Sequence, residues 1–303
     1  MNSFLSSIKL SSYLKNLLIF LPLLISSSLI TFSNILNSFF GLIFFSFCCF
    51  VIYTNNDYID QEKDKLNILK KKNIFIKKFN TNKILFLNII LLFIIFFSYY
   101  YSFLFGWSLL TYVLLNYLYN LFTKKIKYLD LFFLSIFHLL RLLYGCEINS
   151  LEISNIFIIY FVNFFLMLAI IKRSIQIYMN KLLINNSIVA YNMKDLSFLK
   201  ISNYFLLFFN FLIFLIYINK DFYEYGKFIN SNNTIIIDNV FSYYFSFFVY
   251  ALVLLFILRL LKLTNEKKIR IDIMAFVSRD RLSIATGLFL TIIFVLLKLW
   301  HII

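Results

Sequence analysis

Residues 35–64 read ILNSFFGLIFFSFCCFVIYTNNDYIDQEKD: an apolar run, 35–53, followed within three residues by an acidic cluster, Asn56 to Asp64. The run is long enough to cross a bilayer as a helix, because roughly 17–25 largely apolar residues suffice. If the helix continues into the cluster, Asp57, Asp60 and Asp64 stand at i, i+3 and i+7, with Asn56 one turn from Asp60. One helical face then carries three carboxylates and an amide. Carboxylates this close repel one another unless a hard, oxygen-preferring cation neutralises them, and Mg2+ is the cation expected, with Asn56, Asp57, Asp60 and Asp64 as its ligands. A solvated loop is the bland reading, but acids contribute little to membrane topology and these keep helical spacing. The Asp-x-Asp-x-Asn-Gly order of an EF-hand is missing.

Composition extends the membrane reading to the whole chain. Of 303 residues, 62% are hydrophobic, 21% aromatic and only 14% charged, with a mean hydropathy of +0.85, so a soluble domain with a polar surface is excluded. Nine apolar segments are predicted to be helices that span or nearly span the bilayer: 16–32, 35–53, 84–105, 107–122, 129–145, 153–171, 201–218, 241–261 and 282–297. The third and fourth are separated by little more than Gly106. The fold class expected is therefore all-α, a polytopic bundle of about nine transmembrane helices in a single integral-membrane domain over 1–303. The polar stretch 219–239 is expected to be a surface excursion.

Charge supports the count. When the amino terminus and every second loop are placed on one side, that side collects all but four of the 29 basic residues: Lys220, Lys227 and Lys298 fall opposite, and Arg141 lies within a helix. The positive-inside rule then puts the amino terminus, the acidic cluster and the basic loops in the cytoplasm and the carboxyl terminus outside. A net charge of +15 in such a chain suits anionic lipids and anionic ligands. Nucleic acid is excluded as a partner because no soluble basic domain is present.

Cysteines 48, 49 and 146 show no disulfide framework, and His138 and His301 lack a second metal ligand nearby. No glycine-rich phosphate loop or Ser-His-Asp arrangement occurs. The remaining chemistry is cationic. Lys172 and Arg173 are expected to close the sixth helix, Lys124 and Lys125 the fourth, while Arg279, Asp280 and Arg281 open the ninth. Arg141 sits inside the fifth, where a charge costs about 2.5–3.5 kcal/mol on insertion scales and by default faces a cavity. Asp130 is too far along that helix to be its direct partner.

The Asn-Asp-x-x-Asp-x-x-x-Asp pattern from Asn56 to Asp64, at the end of the second of nine helices, resembles the first aspartate-rich motif of the UbiA prenyltransferase superfamily. That resemblance implies a UbiA-like helical bundle and a pyrophosphate held through Mg2+. Aromatic prenyltransferases of the family carry a second Asp-x-x-x-Asp after the sixth helix; here, from Lys172 to Lys200, Asp195 is the only acid.

Other stretches resemble the decaprenyl-phosphate phosphoribosyltransferase branch: Tyr13 to Leu23, Leu115 to Tyr119 with Lys124 and Asp130, Leu140-Arg141 with Gly145, Lys172-Arg173, and Asp272 with Arg279-Asp280-Arg281. The chain departs from that branch at Lys9-Leu10, Asn67-Ile68, Asn73, Gln176 and Ile273.

The resemblance implies transfer of a phosphoribosyl group from phosphoribosyl pyrophosphate to a polyprenyl phosphate, with release of pyrophosphate. Asp57, Asp60 and Asp64 would carry the catalytic metal platform. Lys15, Tyr119, Lys124, Asp130, Arg141, Lys172, Arg173 and Arg281 would bind the two anionic substrates. The alternative is transfer of an isoprenoid from a prenyl pyrophosphate to an aromatic acceptor. A transporter, which would show paired broken helices, fits poorly with one proline and five glycines. Membrane lipids are expected partners, and association with a second copy is left open.

Overall fold

The computed structural model describes residues 13–26, 30–59, 81–183, 191–226, 235–269 and 271–300, and among them every regular element is helical. A 3-10 segment, Leu14–Phe20, runs into α1, Leu21–Ile25. Then follow α2, Phe32–Ile59; α3, Thr81–Tyr101; α4, Phe103–Leu121; and α5, Leu129–Asn149. The remainder comprises α6, Asn155–Leu183; α7, Asp195–Gly226; α8, Ile235–Asn265; the short α9, Ile273–Val277; and α10, Arg281–Trp300. Each of the nine apolar segments is matched by helical structure at its place in the chain.

Six of these helices are long and apolar enough to cross a membrane: Phe32–Ile59, Thr81–Tyr101, Leu129–Asn149, Asn155–Met179, Asp195–Ile218 and Ser246–Asn265. Large apolar side chains point outward along them. On α3, Phe86, Phe93 and Phe96 are exposed. Such a surface is compatible with lipid rather than water as the surrounding solvent, and the protein is an integral membrane protein.

Several boundaries differ from the sequence expectation. The first apolar segment is not one spanning helix: its backbone turns extended at Ser26. The break between the third and fourth helices falls at Ser102, which is extended (φ −158°, ψ 135°), and not at Gly106. Gly106 lies inside α4, where a Cβ would come within 2.5 Å of the Tyr99 ring, so its role is close packing. Helix α6 runs to Leu183, well beyond Lys172 and Arg173, so that pair does not close it. Along this continuation Ser174 bonds to the Ile170 carbonyl and Arg173 pairs with Gln176, so the polar side chains there are satisfied within the helix. The stretch 219–239 is likewise helical through Gly226 and again from Ile235.

The chain divides into two compact units, one comprising 1–153 with 183–190 and 298–303, the other 154–182 with 191–297. In the first, α2, α3, α4 and α5 pack with the amino-terminal segment around an aromatic centre. Phe45 lies 4.4 Å from Tyr112 and 4.9 Å from Tyr144 between ring centroids, and Phe105 stacks on Tyr144 at 4.6 Å. The amino-terminal segment comes very close to α5 at Gly145, where a Cβ would sit 2.2 Å from the Ile19 carbonyl oxygen. Only glycine allows that approach. In the second unit α7 packs on α8, with Phe214 stacked on Tyr250 at 4.0 Å.

Candidate active site

Helix α2 continues without interruption through Asn55, Asn56 and Asp57 to Ile59, so the first two residues of the Asn56 to Asp64 stretch are helical. Asn56 and Asp57 are half-buried near the last described residue of this helix. Asp60 and Asp64 lie outside the described residues. Among the described residues no group of three or more His, Cys, Asp or Glu side chains forms a cation site. The oxygen donors placed are therefore those of Asn56 and Asp57, both of the hard type that Mg2+ prefers.

Beside this helix end stands Tyr13, whose ring meets that of Tyr53 edge-on at 6.3 Å. Burial pushes the Tyr13 hydroxyl up to about 12, and the nearby Cys49 and Asp57 add to the shift. Tyr53 and Asp57 are i and i+4 on α2, so the amino-terminal segment lies along the face that presents Asp57. Lys15, half-buried, belongs to the same segment.

Deeper in the same unit Arg141 is 2% exposed. Its Nε donates to Asn16 Oδ1 at 3.0 Å, Nη1 to the Phe137 carbonyl at 2.6 Å and Nη2 to the Tyr112 hydroxyl at 2.8 Å. Phe45 and Tyr112 offer ring faces to the guanidinium at 5.5 and 5.1 Å. Cys49 Sγ lies 3.3 Å from the Tyr112 hydroxyl, and Asn16 Nδ2 donates to Ser46 at 2.9 Å. Cys49 stands seven residues before Asn56, a rise of about 10 Å along a helix. Arg141 thus belongs to the first unit's interior, below the acidic cluster, with each guanidinium nitrogen bonded to protein.

The other first-unit residues named from the sequence are spread along α4 and α5. Tyr119 packs on Phe133 and Phe137, with centroids at 6.3 and 5.4 Å. Lys124 lies in the 3-10 turn after α4. Asp130, 1% exposed, occupies the first turn of α5, where the helix dipole favours a negative charge.

In the second unit Lys172 Nζ lies 3.7 Å from Asp272, and Asp272 caps α9 by accepting from the Met274 N–H at 3.3 Å. Arg173 is buried and bonded to Gln176. Asp280 receives both ends of the Arg259 guanidinium, at 2.5 and 2.9 Å, together with the Ser283 hydroxyl at 2.6 Å and N–H at 2.9 Å. Arg259 and Ser283 hold the Asp280 carboxyl well below the usual carboxylate range. Asp280 is thereby committed to capping α10, while Arg279 and Arg281 on either side of it are exposed.

Sequence reasoning missed Asn16 and Tyr112 as partners of Arg141 and Arg259 as the partner of Asp280. That an arginine in an apolar helix needs acceptors from other elements could be anticipated, but not which residues supply them.

No protein-family model matches the sequence, and no curated protein does. The similarity lies in the fold. The structure of a UbiA homolog from Archaeoglobus fulgidus bound to DMAPP and Mg2+ matches with a TM-score of 0.55 at 12% identity, covering 85% of this chain and 94% of that one. The structure of a UbiA homolog from the same organism bound to GPP and Mg2+ matches with a TM-score of 0.56 at 12% identity, over 88% and 97% of the two chains. This chain has the UbiA fold. Among the described residues this bundle contains no strand.

Proposed function

We propose that the protein is a Mg2+-dependent membrane transferase of the UbiA type, which takes a pyrophosphate ester as donor and releases pyrophosphate. One observation carries this reading: α2 delivers Asn56 and Asp57, the first two residues of an Asn-Asp-x-x-Asp-x-x-x-Asp pattern, as a continuous helix end within a UbiA fold. Mg2+ held by Asn56, Asp57, Asp60 and Asp64 would neutralise the charge that builds on the departing pyrophosphate.

For the donor we infer phosphoribosyl pyrophosphate and for the acceptor a polyprenyl phosphate. The support is the stretch from Lys172 to Lys200, which has Lys172 and Arg173 on α6 where an aromatic prenyltransferase would carry a second acidic motif. Two phosphorylated substrates call for more cations than one pyrophosphate and a phenol. Lys15, Lys124, Lys172, Arg173 and Arg281 are assigned to the sugar 5-phosphate and the lipid phosphate. Tyr119 and Asp130 are assigned to substrate binding as well, whereas Arg141, whose guanidinium nitrogens are all bonded to protein, holds the amino-terminal segment instead. The acceptor phosphate attacks the ribose C1, the bond from C1 to the pyrophosphate oxygen breaks, and the acidic helix end with its cation holds the leaving group. The basic loops and this helix end are assigned to the cytoplasmic face by the positive-inside rule.

A second reading has its own support. Two solved structures with this fold were bound to DMAPP and GPP, so a prenyl pyrophosphate is the alternative donor. Membranes containing the protein, Mg2+ and polyprenyl phosphate, given radiolabelled phosphoribosyl pyrophosphate, should transfer label into the lipid phase. Label that stays aqueous, together with transfer from a prenyl pyrophosphate to an aromatic acid, selects the alternative.

A further inference from the structure

Directly beneath the acidic helix end, side chains from three helices close a ring of hydrogen bonds. Asn55 Nδ2 on α2 donates to Asn88 Oδ1 on α3 at 2.7 Å and to the Tyr117 hydroxyl on α4 at 2.6 Å. The Tyr117 hydroxyl donates in turn to Asn88 Oδ1 at 3.1 Å. Asn55 is 5% exposed, and its Oδ1 is buried without a partner.

Two features tie this ring to the residues above it. Asn55 immediately precedes Asn56, so the ring grips α2 within one turn of Asp57. Successive helical residues are 100° apart, which puts Asp57 about 200° round the helix from Asn55. The ring therefore holds the back of α2 while Asp57 faces the other way, toward the side shared with Tyr53. A metal platform needs its donors fixed to within about 0.5 Å.

We propose that Asn88 and Tyr117 are positioning residues for the cation platform, acting through Asn55 to fix the azimuth of Asn56 and Asp57. This rests on the reading of that helix end as a cation site. Outer partners of metal ligands change metal affinity by about 10- to 100-fold when removed, although they never touch the ion.

The experiment is a Mn2+ titration of the purified full chain in detergent, without substrate, with free Mn2+ followed by its EPR signal. Tyr117→Phe and Asn88→Ala should each raise the Mn2+ Kd about 10-fold at a temperature where both remain folded, even though loss of the ring's hydrogen bonds also lowers their unfolding temperatures. The double variant should be no worse than the weaker single one, because the ring acts as a unit. Asn88→Asp, isosteric and still an acceptor for both donors, should bind at least as tightly as wild type. Asp57→Asn, in the same titration, separates the two layers. If Asp57→Asn binds Mn2+ as wild type does, the cation-site reading itself fails. If Asp57→Asn loses binding while Tyr117→Phe and Asn88→Ala bind as wild type does, the positioning role is overturned and the cation site stands.

Discussion

Arg141 Nη2 and the Tyr112 hydroxyl meet at 2.8 Å inside a bundle of apolar helices, and among the described residues no carboxylate pairs with that guanidinium. The cation is accommodated by neutral acceptors on three elements and by two aromatic faces. Three of those contacts come from far along the chain: Asn16 in the amino-terminal segment, Phe45 on α2 and Tyr112 on α4. Arg141 therefore ties the amino-terminal segment, and with it Tyr13 and Lys15, to the helices that carry the candidate site.

Tyr112→Phe removes a hydrogen bond to a charged group and leaves one guanidinium nitrogen unsatisfied in an apolar interior. The expected loss is about 1.5–3 kcal/mol of stability. Thermal unfolding in detergent should show a lowered midpoint for Tyr112→Phe, whereas Tyr204→Phe, at an exposed site on α7, should leave it unchanged.

Gly145→Ala probes the same linkage from the backbone. The added Cβ would lie 2.2 Å from the Ile19 carbonyl oxygen, so the amino-terminal segment must shift. Overpacking of this kind costs about 1–3 kcal/mol. The buried Cys49 thiol, 3.7 Å from Asn16 Oδ1, should become reactive toward a maleimide that leaves the wild-type thiol untouched. Wild-type reactivity in Gly145→Ala would show that the segment is not held at this point.

The Arg259–Asp280 pair makes a pH prediction whose sign follows from its geometry. Arg259 and Ser283 depress the Asp280 carboxyl in the folded protein, so the unfolded state binds the proton more readily. The stabilisation is fully present above the unfolded value of about 3.9 and declines as pH falls below it toward the folded value. The difference in unfolding temperature between wild type and Asp280→Asn should be constant from neutral pH to about 5 and shrink below about 4. A difference that grows on acidification would contradict the pairing.

The fold was legible because lipid imposes long apolar runs. Details set by tertiary packing were not. Gly106 reads locally as a break, yet it lies within a helix because the Tyr99 ring needs the space, and the extended residue is Ser102, whose type carries no such signal. Lys172 and Arg173 mark a change of polarity, but a helix ends where its backbone bonding ends, and α6 continues to Leu183. At the candidate site the continuation of the apolar helix into Asn56 and Asp57 could be read from the residues alone. The partners of Arg141 could not, since Asn16 and Tyr112 lie 125 and 29 residues from it. The Asn55 ring was hidden for the same reason, with Asn88 and Tyr117 on separate helices 33 and 62 residues away.

The central claim is that the helix end at Asn56 and Asp57 holds a cation on which pyrophosphate release depends. The direct measurement is pyrophosphate liberated by membranes containing wild type or Asp57→Asn, given phosphoribosyl pyrophosphate and polyprenyl phosphate, across a Mg2+ titration. Release that rises with Mg2+ in the wild type and is abolished in Asp57→Asn, with both proteins inserted equally, is the predicted result. Equal release by the two proteins at every Mg2+ concentration would contradict it.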